Sequence, residues 1–408
     1  MKKKISIGAT VAIVLLAVVI TFQVTYVAAG SRYRQRLDEW EQSDFSGRYA
    51  KLVELDSVFH GLYAGEIDED TILNTLLRAY VASSGDPYGQ YLNADEYAEL
   101  EREMQGNGIG IGVSVLYQAE ENRILVLRAY DNAPAATAGI RHDDIIVGAD
   151  DTDIDRDGYE AVVNAINGEV GSQVVIHVER DGEPMQFTVT RAAYEIRTVD
   201  SRLEEADGKK IGIVRIDSFE ISTSDQFIAA VEALLSQGAQ ALVFDLRANP
   251  GGELNSIRAI VDYLVPDGEP IVHIRDYEGK KTTYSGEDGH EVDCPMAVLV
   301  NGNTASAAEL FTAALRDYKK ATVVGVKTYG KGCIQTLYPL SDGSNLRVTY
   351  GYYDPPYSDN YDGVGITPDV TVVEDIVSEQ GNSFYLRATD QDAPLQAAIA
   401  ALTSDSAA

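Results

Sequence analysis

Cysteine, histidine and positive charge are all scarce in this chain. Its 408 residues include 2 cysteines and 5 histidines, and 33 Lys and Arg stand against 64 Asp and Glu. A net charge of −31 excludes the basic face that binds nucleic-acid phosphates, so nucleic acid is not an expected partner. Acidity of this kind keeps a surface solvated and by itself says nothing of chemistry. The histidines, His60, His142, His177, His273 and His290, sit in no H-x-x-x-H pair and in no triad-like setting. No G-x-S-x-G elbow occurs. Cys294 and Cys333 allow one bridge at most; bridged or free, they fit an exported protein that relies little on disulfides. Cys333 has no histidine beside it to activate it and reads as a small packing residue. The run 150–158 alternates carboxylates like a calcium loop, but Val162 stands where the bidentate glutamate belongs. It reads as a solvated loop. No metal and no organic cofactor is expected.

What the chain does have begins with lysine. Lys2, Lys3 and Lys4 precede an uncharged run over 5–30. A run of that length spans a ~30 Å hydrocarbon core as a helix, and lysines before it hold that end in the cytoplasm. A cleaved signal has an apolar stretch of only ~7–15 residues and a small-x-small site. Tyr26-Val27-Ala28-Ala29-Gly30 matches such a site poorly. The expectation is a basic stub and uncleaved single-pass anchor over 1–30. The membrane is then a partner, the location is the cell membrane, and 31–408 lie outside the cytoplasm.

The rest divides by pattern into four segments: 31–105, 106–192, 193–375 and 376–408. In the first, Leu52, Leu55, Val58, Phe59 and Leu62 recur at helical spacing, as do Ile72, Leu73, Leu76, Leu77 and Tyr80. The second has short strands over 124–127, 145–147 and 174–178, glycine punctuation, and a short helix over 161–166. In the third, strands at 211–216, 241–246, 296–300 and 321–326 alternate with helices at 222–236, 253–264 and 305–316. That alternation predicts an α/β layer with a mostly parallel sheet. The acidic tail after 375 has one helical patch, 395–402.

Two stretches carry chemistry. In Asn301-Gly302-Asn303-Thr304-Ala305-Ser306-Ala307-Ala308-Glu309 a serine sits where an apolar strand turns into a helix. In Lys327-Thr328-Tyr329-Gly330-Lys331-Gly332-Cys333-Ile334-Gln335 a lysine lies between two glycines. A serine hydroxyl needs a base, and a lysine serves as one only when neutral. Burial among apolar groups disfavours its charged form. Gln335, four residues on, shares a face with Lys331 if the segment is a strand, where it can fix the amine. Ser306 opens a helix, so the Ala307 N–H has no partner within it.

These stretches resemble the serine and lysine motifs of the carboxy-terminal processing peptidases, or tail-specific proteases, which read T-A-S-A-S-E and K-T-F-G-K-G-x-x-Q. Asp86-Pro87-Tyr88, Asp245-Leu246-Arg247-Ala248-Asn249-Pro250-Gly251-Gly252 and Gly363-Val364-Gly365-Ile366-Thr367-Pro368-Asp369 resemble three further motifs of that family, in order. The resemblance covers roughly 45–375. It implies a serine endopeptidase with Ser306 as nucleophile, Lys331 as base, Gln335 in support, and an oxyanion hole from the N–H groups of Gly252 and Ala307. It also implies that 106–192 is a PDZ-like domain inserted before the peptidase core, with Ile109, Gly110, Ile111 and Gly112 at the loop that binds a peptide carboxylate. Glycines there let successive N–H groups converge on one anion, and a peptide adds as a strand beside it. Proteins with exposed C-terminal tails are the implied substrates, and the helical region is implied to pair subunits into a homodimer. Asn167-Gly168 stands where many members have Arg-Gly, so a relay through that arginine is not expected here. The rival class is a non-catalytic PDZ-type scaffold that binds tails and keeps the peptidase fold. Binding alone needs none of Ser306, Lys331 and Gln335.

Overall fold

The computed structural model describes residues 45–104, 107–119, 121–131, 133–373 and 382–404. Up to Leu73 the described chain forms a unit of its own. It contains the helix Phe45–Leu62, on which Leu52, Leu55, Val58, Phe59 and Leu62 are all exposed. Phe59 stacks on Tyr63 at 4.9 Å.

The expectation of a membrane anchor is corrected here. Among the described residues no helix is long and apolar enough to cross a membrane. The longest, Phe45–Leu62, carries Lys51, Glu54 and Asp56 along its length, each costly in hydrocarbon. The run 5–30 that prompted the expectation lies outside the described residues. The membrane as partner, the single-pass topology and the cell-membrane location are therefore not carried forward.

From Asn74 onward the chain is a second unit, with a β-rich part and an α/β part. The α/β part is built on a six-stranded sheet in the order Val199–Ala206, Lys209–Ile216, Ala241–Asp245, Met296–Val300, Ala321–Gly325 and Val370–Thr371. Only the first pair is antiparallel. Ala241–Asp245 and Met296–Val300 are buried at every position, as strands covered on both faces must be. One face carries the helices Thr223–Ser236, Leu254–Leu264 and Ala307–Asp317. Phe227, Val231 and Leu234 of the first point inward at helical spacing. Residues 307 to 315 of the third are all buried, so this helix is the centre of the layer.

The tail covers the opposite face. Its helix, Ala393–Thr403, buries Leu395, Ala398, Ile399 and Leu402 against Ile211, Ile213, Val243, Ala297, Leu299 and Val324. Asp392 caps it by accepting the Leu395 N–H, with Pro394 in its first turn. The same carboxylate takes two hydrogen bonds from Arg247, at 2.9 and 2.8 Å, with both side chains at most 1 % exposed. The helical patch over 395–402 carries no hint of this buried pair.

A second sheet lies beside the α/β part. Strand Asn345–Asp354 pairs with Gln90–Leu92, with Pro270–Asp276 and with Cys333–Pro339. It joins the segment after Asp86-Pro87-Tyr88 to the strand that follows Lys331. The β-rich part is a separate sheet of Val113–Gln118, Arg123–Ala129, Ile145–Ala149, Gln173–Arg180 and Glu183–Thr190 around its own core, with the helix Tyr159–Ile166 packed on it. In the acidic run, Asp153 caps a short helix and Asp150 accepts the Val175 N–H, so these carboxylates serve the backbone.

Candidate active site

Strand Met296–Val300 runs out at its C-terminal end into Asn301–Ala305, and Ser306 is the N-cap of the central helix. Its backbone has φ 58°, ψ −121°, a conformation that L-residues other than glycine rarely adopt. Sites over-determined by their surroundings hold such strain, and Ser306 is surrounded. It is 9 % exposed. Its N–H donates to Glu309 Oε2 at 2.9 Å, and its carbonyl accepts from Tyr361 Oη at 3.2 Å. Its Oγ lies 2.5 Å from Tyr353 Oη.

The turn over 249–252 packs against this serine. Asn249 is fixed by its amide on the Ile216 carbonyl, and its Oδ1 takes the Gly251 N–H. Gly251 has φ 97°, and a Cβ there would lie 2.6 Å from Ser306 Cβ and 2.8 Å from the Ala307 nitrogen. Gly252, with φ 144°, would drive a Cβ onto the Phe219 carbonyl oxygen at 2.0 Å. Both positions therefore demand glycine. Among the described residues neither the Gly252 nor the Ala307 N–H has a hydrogen-bond acceptor. A cleft of about 620 Å³ opens here, lined by Leu116, Ala248, Pro250, Asn303, Ala305 and Tyr329. Leu116 belongs to the strand Val113–Gln118 of the β-rich part, which thus borders this cleft.

Glu309 is the residue that sequence reasoning passed over. It is fully buried, and its carboxylate takes four hydrogen bonds. Oε2 accepts from Ser306 N and Lys331 N, and Oε1 from Thr328 Oγ1 and Gly330 N. It thereby ties the serine turn to the lysine turn. Burial pushes its pKa up against the pull of these donors. The signal was present: a glutamate three residues after an N-cap serine is half of a capping box.

The lysine side is arranged differently. Gly330, at φ 91°, turns the chain so that Lys331 is half-buried, and burial lowers its pKa. Its Nζ sits 4.4 Å from the centre of the Tyr88 ring. The Ser306 hydroxyl bonds to Tyr353 and not to this amine. Gln335 does not share a ladder face with Lys331 as a simple strand would dictate. The strand begins only at Cys333, and its register shifts between Ile334 and Gln335. Gln335 Nε2 donates to Cys333 Sγ and to Thr349 Oγ1, each at 3.3 Å, while its Oε1 has no donor among the described residues. Thr349 is held in turn by both oxygens of Asp86, whose Oδ1 also takes the Tyr88 N–H. The Asp86-Pro87-Tyr88 segment thus braces the lysine strand.

In the β-rich part, Ile109 is exposed while Ile111 is buried in the core. Gly110 and Gly112 have φ 143° and 75°. Both cysteines are free, and burial raises the Cys333 thiol. One further carboxylate cluster, Asp262, Asp267 and Asp288, brings its oxygens within 4.8 Å of one another. Its members are largely exposed, and nothing else there points to an ion.

Comparison with known proteins now decides the family. The sequence profile of peptidase family S41 matches residues 210–372, and that of the PDZ domain matches 108–190. The carboxyl-terminal-processing protease of Picosynechococcus sp. is 33% identical over 324 residues, 79% of this chain and 77% of that one. This chain belongs to peptidase family S41. The Synechocystis sp. carboxyl-terminal-processing protease agrees, at 30% identity over 81% of this chain and 76% of its own. A Bacteroides fragilis structure described as a candidate S41 protease shares the fold, with a TM-score of 0.59 at 18% identity over 85% of this chain and 96% of that one. The S41 chain is a serine-type endopeptidase of the carboxy-terminal processing kind with an inserted PDZ domain, and the non-catalytic scaffold falls away. The helical N-terminal region, β-rich insertion and α/β core with a largely parallel sheet are the architecture the sequence predicts.

Proposed function

We propose that this S41 peptidase cleaves proteins by acyl transfer to Ser306, with Lys331 as base, after its PDZ domain has captured an exposed C-terminal tail. The observation that carries the reading is the setting of Ser306. It is a strained, buried serine at a helix start, next to two N–H groups that have no acceptor among the described residues, and Glu309 ties it to the turn of a lysine whose charged form burial disfavours. A neutral Lys331 amine takes the hydroxyl proton as Oγ bonds to the substrate carbonyl carbon. The carbonyl π electrons move onto oxygen, and the N–H groups of Gly252 and Ala307 meet that charge. The proton then passes to the leaving nitrogen as the peptide C–N bond breaks, and water releases the acyl group. Lys331 reaches Ser306 by leaving the Tyr88 ring. Gln335 supports it through Oε1, the end of its amide that has no donor among the described residues.

For the tail, Ile109, Gly110, Ile111 and Gly112 form the proposed carboxylate loop, with Ile111 as its buried anchor. A peptide added along Val113–Gln118 runs beside the cleft that Leu116 borders. Ser306→Ala and Lys331→Ala should each lower kcat/KM on an unstructured protein by at least ~10³-fold with the fold intact, since the pair acts as a unit. Mass spectrometry of cleaved C-termini reads the loss. A free-carboxylate substrate should also be cut faster than its amidated form. Equal rates for those two forms would remove the tail-capture step.

A further inference from the structure

We infer that Tyr353 is a positioning residue for the nucleophile, holding Ser306 Oγ by a phenol hydrogen bond so that the serine proton is left for the base. The inference rests on the Ser306–Lys331 reading above and adds a third side chain to it.

The geometry is direct. Tyr353 lies on the strand Asn345–Asp354, 47 residues from Ser306 in sequence, and is 4 % exposed. Its Oη is 2.5 Å from Ser306 Oγ and 3.3 Å from the Lys331 carbonyl oxygen. Tyr361 takes the other oxygen of Ser306, the carbonyl, at 3.2 Å. The two rings are 6.2 Å apart, so paired phenols hold both oxygens of one residue. Among the described residues Tyr353 is the one side chain hydrogen-bonded to Ser306 Oγ.

At 2.5 Å one proton lies between the two oxygens. If Ser306 supplied it, that proton would point at a phenol oxygen. Burial pushes the Tyr353 phenol far above its ordinary pKa, so it stays neutral and is no base. If Tyr353 supplies it, Oγ keeps its own proton on the remaining side, where a neutral amine can take it. In the attack the Oγ–H bond breaks and its proton goes to Lys331 Nζ. The Oγ–C bond forms, and the Tyr353 proton stays on the phenol throughout. The phenol thus fixes the rotamer of the nucleophile and the direction of its proton while Lys331 approaches. The Lys331 carbonyl, 3.3 Å from the same phenol oxygen, is the competing acceptor for its one proton, and the serine oxygen at 2.5 Å is the nearer of the two.

The test is Tyr353→Phe in the full chain, which keeps the ring and removes one oxygen. Melting temperature, kcat and KM on an unstructured peptide, the rate of Ser306 labelling by a fluorophosphonate, and the pH profile of kcat/KM are measured together. The expected result is a fall in kcat of about 10- to 100-fold, the scale on which misplacing a reacting atom slows a reaction. KM should stay within about twofold, labelling should slow in parallel, and the midpoint of the pH profile should hold because Tyr353 transfers no proton. A folded variant with kcat at or above the wild-type value overturns the inference. So does a pH midpoint that disappears, which would make the phenol the base. If the variant does not fold, 3-fluorotyrosine at 353 replaces it. Its fluorine resonance should move when Ser306 is changed to Ala, and an unmoved resonance rejects the contact. The Ser306→Ala enzyme separates the two failures. Cleavage that survives in it defeats the serine reading itself, whereas an inactive Ser306→Ala beside a fully active Tyr353→Phe defeats only the role of Tyr353.

Discussion

The serine half and the lysine half of this site are built to different standards. Ser306 sits on a helix buried over 307–315, strained at φ 58°, with its nitrogen and both oxygens hydrogen-bonded. Lys331 sits on a half-buried glycine turn, with its ammonium on an aromatic face and its expected helper, Gln335, bonded elsewhere. In the proposed mechanism the nucleophile and the oxyanion donors would be in place before substrate arrives, and the base would not. The difference follows from the scaffold. A central helix under a two-faced sheet has little freedom, while a turn leading into a bulged strand can shift without disturbing a core. Glu309 is bonded to both halves, through Ser306 N and Lys331 N.

The comparison breaks most severely if the serine half loses its backing. Arg247 precedes the turn over 249–252 and is pinned by Asp245 and Asp392 with no exposure. Asp392→Ala strips one partner from a buried guanidinium and uncaps the tail helix. Such a break costs about 3 kcal/mol or more, and denaturant unfolding should show a loss of that size. A loss under about 1 kcal/mol would mean that the tail does not brace the site. Next in size is Glu309→Gln. Its amide cannot accept at both ends, so donors on the two turns go unpaired at about 2 kcal/mol. Activity should fall further than stability alone explains, by about tenfold or more, because the halves would no longer be registered. Wild-type kcat in the folded variant would show that the bridge is idle.

The sequence made the serine half legible and most of the lysine half illegible. Alternating apolar runs and helical periods mark Ala241–Asp245, Met296–Val300 and Ala307–Asp317 to within a residue or two, because each is a local pattern with burial on a fixed face. Ser306 at a helix start follows from the same pattern. The lysine side depends on contacts that leave no period. Asp86 meets Thr349 across 263 residues, and Tyr88 meets Lys331 through that pairing. The bulge at Ile334 and Gln335 is set by the partner strand, and it undoes the face-sharing that a spacing of four suggests. Arg247 and Asp392, 145 residues apart, are the same case in the core. A long apolar run suggested an anchor; that run lies outside the described residues, and no described helix can span a membrane.

The smallest expected effect sharpens the comparison on the lysine side. The Tyr88 ring favours the Lys331 ammonium, opposing the burial that disfavours it. Tyr88→Leu should therefore lower the lysine pKa further, and kcat/KM should reach half its plateau at lower pH. A cation–π contact of ~0.5–1 kcal/mol moves the midpoint by roughly half a pH unit. A midpoint that stays or rises would place the ammonium elsewhere in the working enzyme.

The central claim is that a preorganised serine waits for a neutral lysine. The most direct measurement is the rate of Ser306 labelling by a fluorophosphonate as a function of pH, for the wild type and for Lys331→Arg. The wild-type rate should climb with pH through a midpoint below the ordinary lysine value of ~10.4, since activity belongs to the deprotonated form of a group whose pKa burial lowers. Lys331→Arg, which cannot lose its proton, should label slowly and without that climb. Wild-type labelling by Lys331→Arg, with a midpoint near ~6.5 that vanishes when one of the five histidines is replaced, would contradict the account.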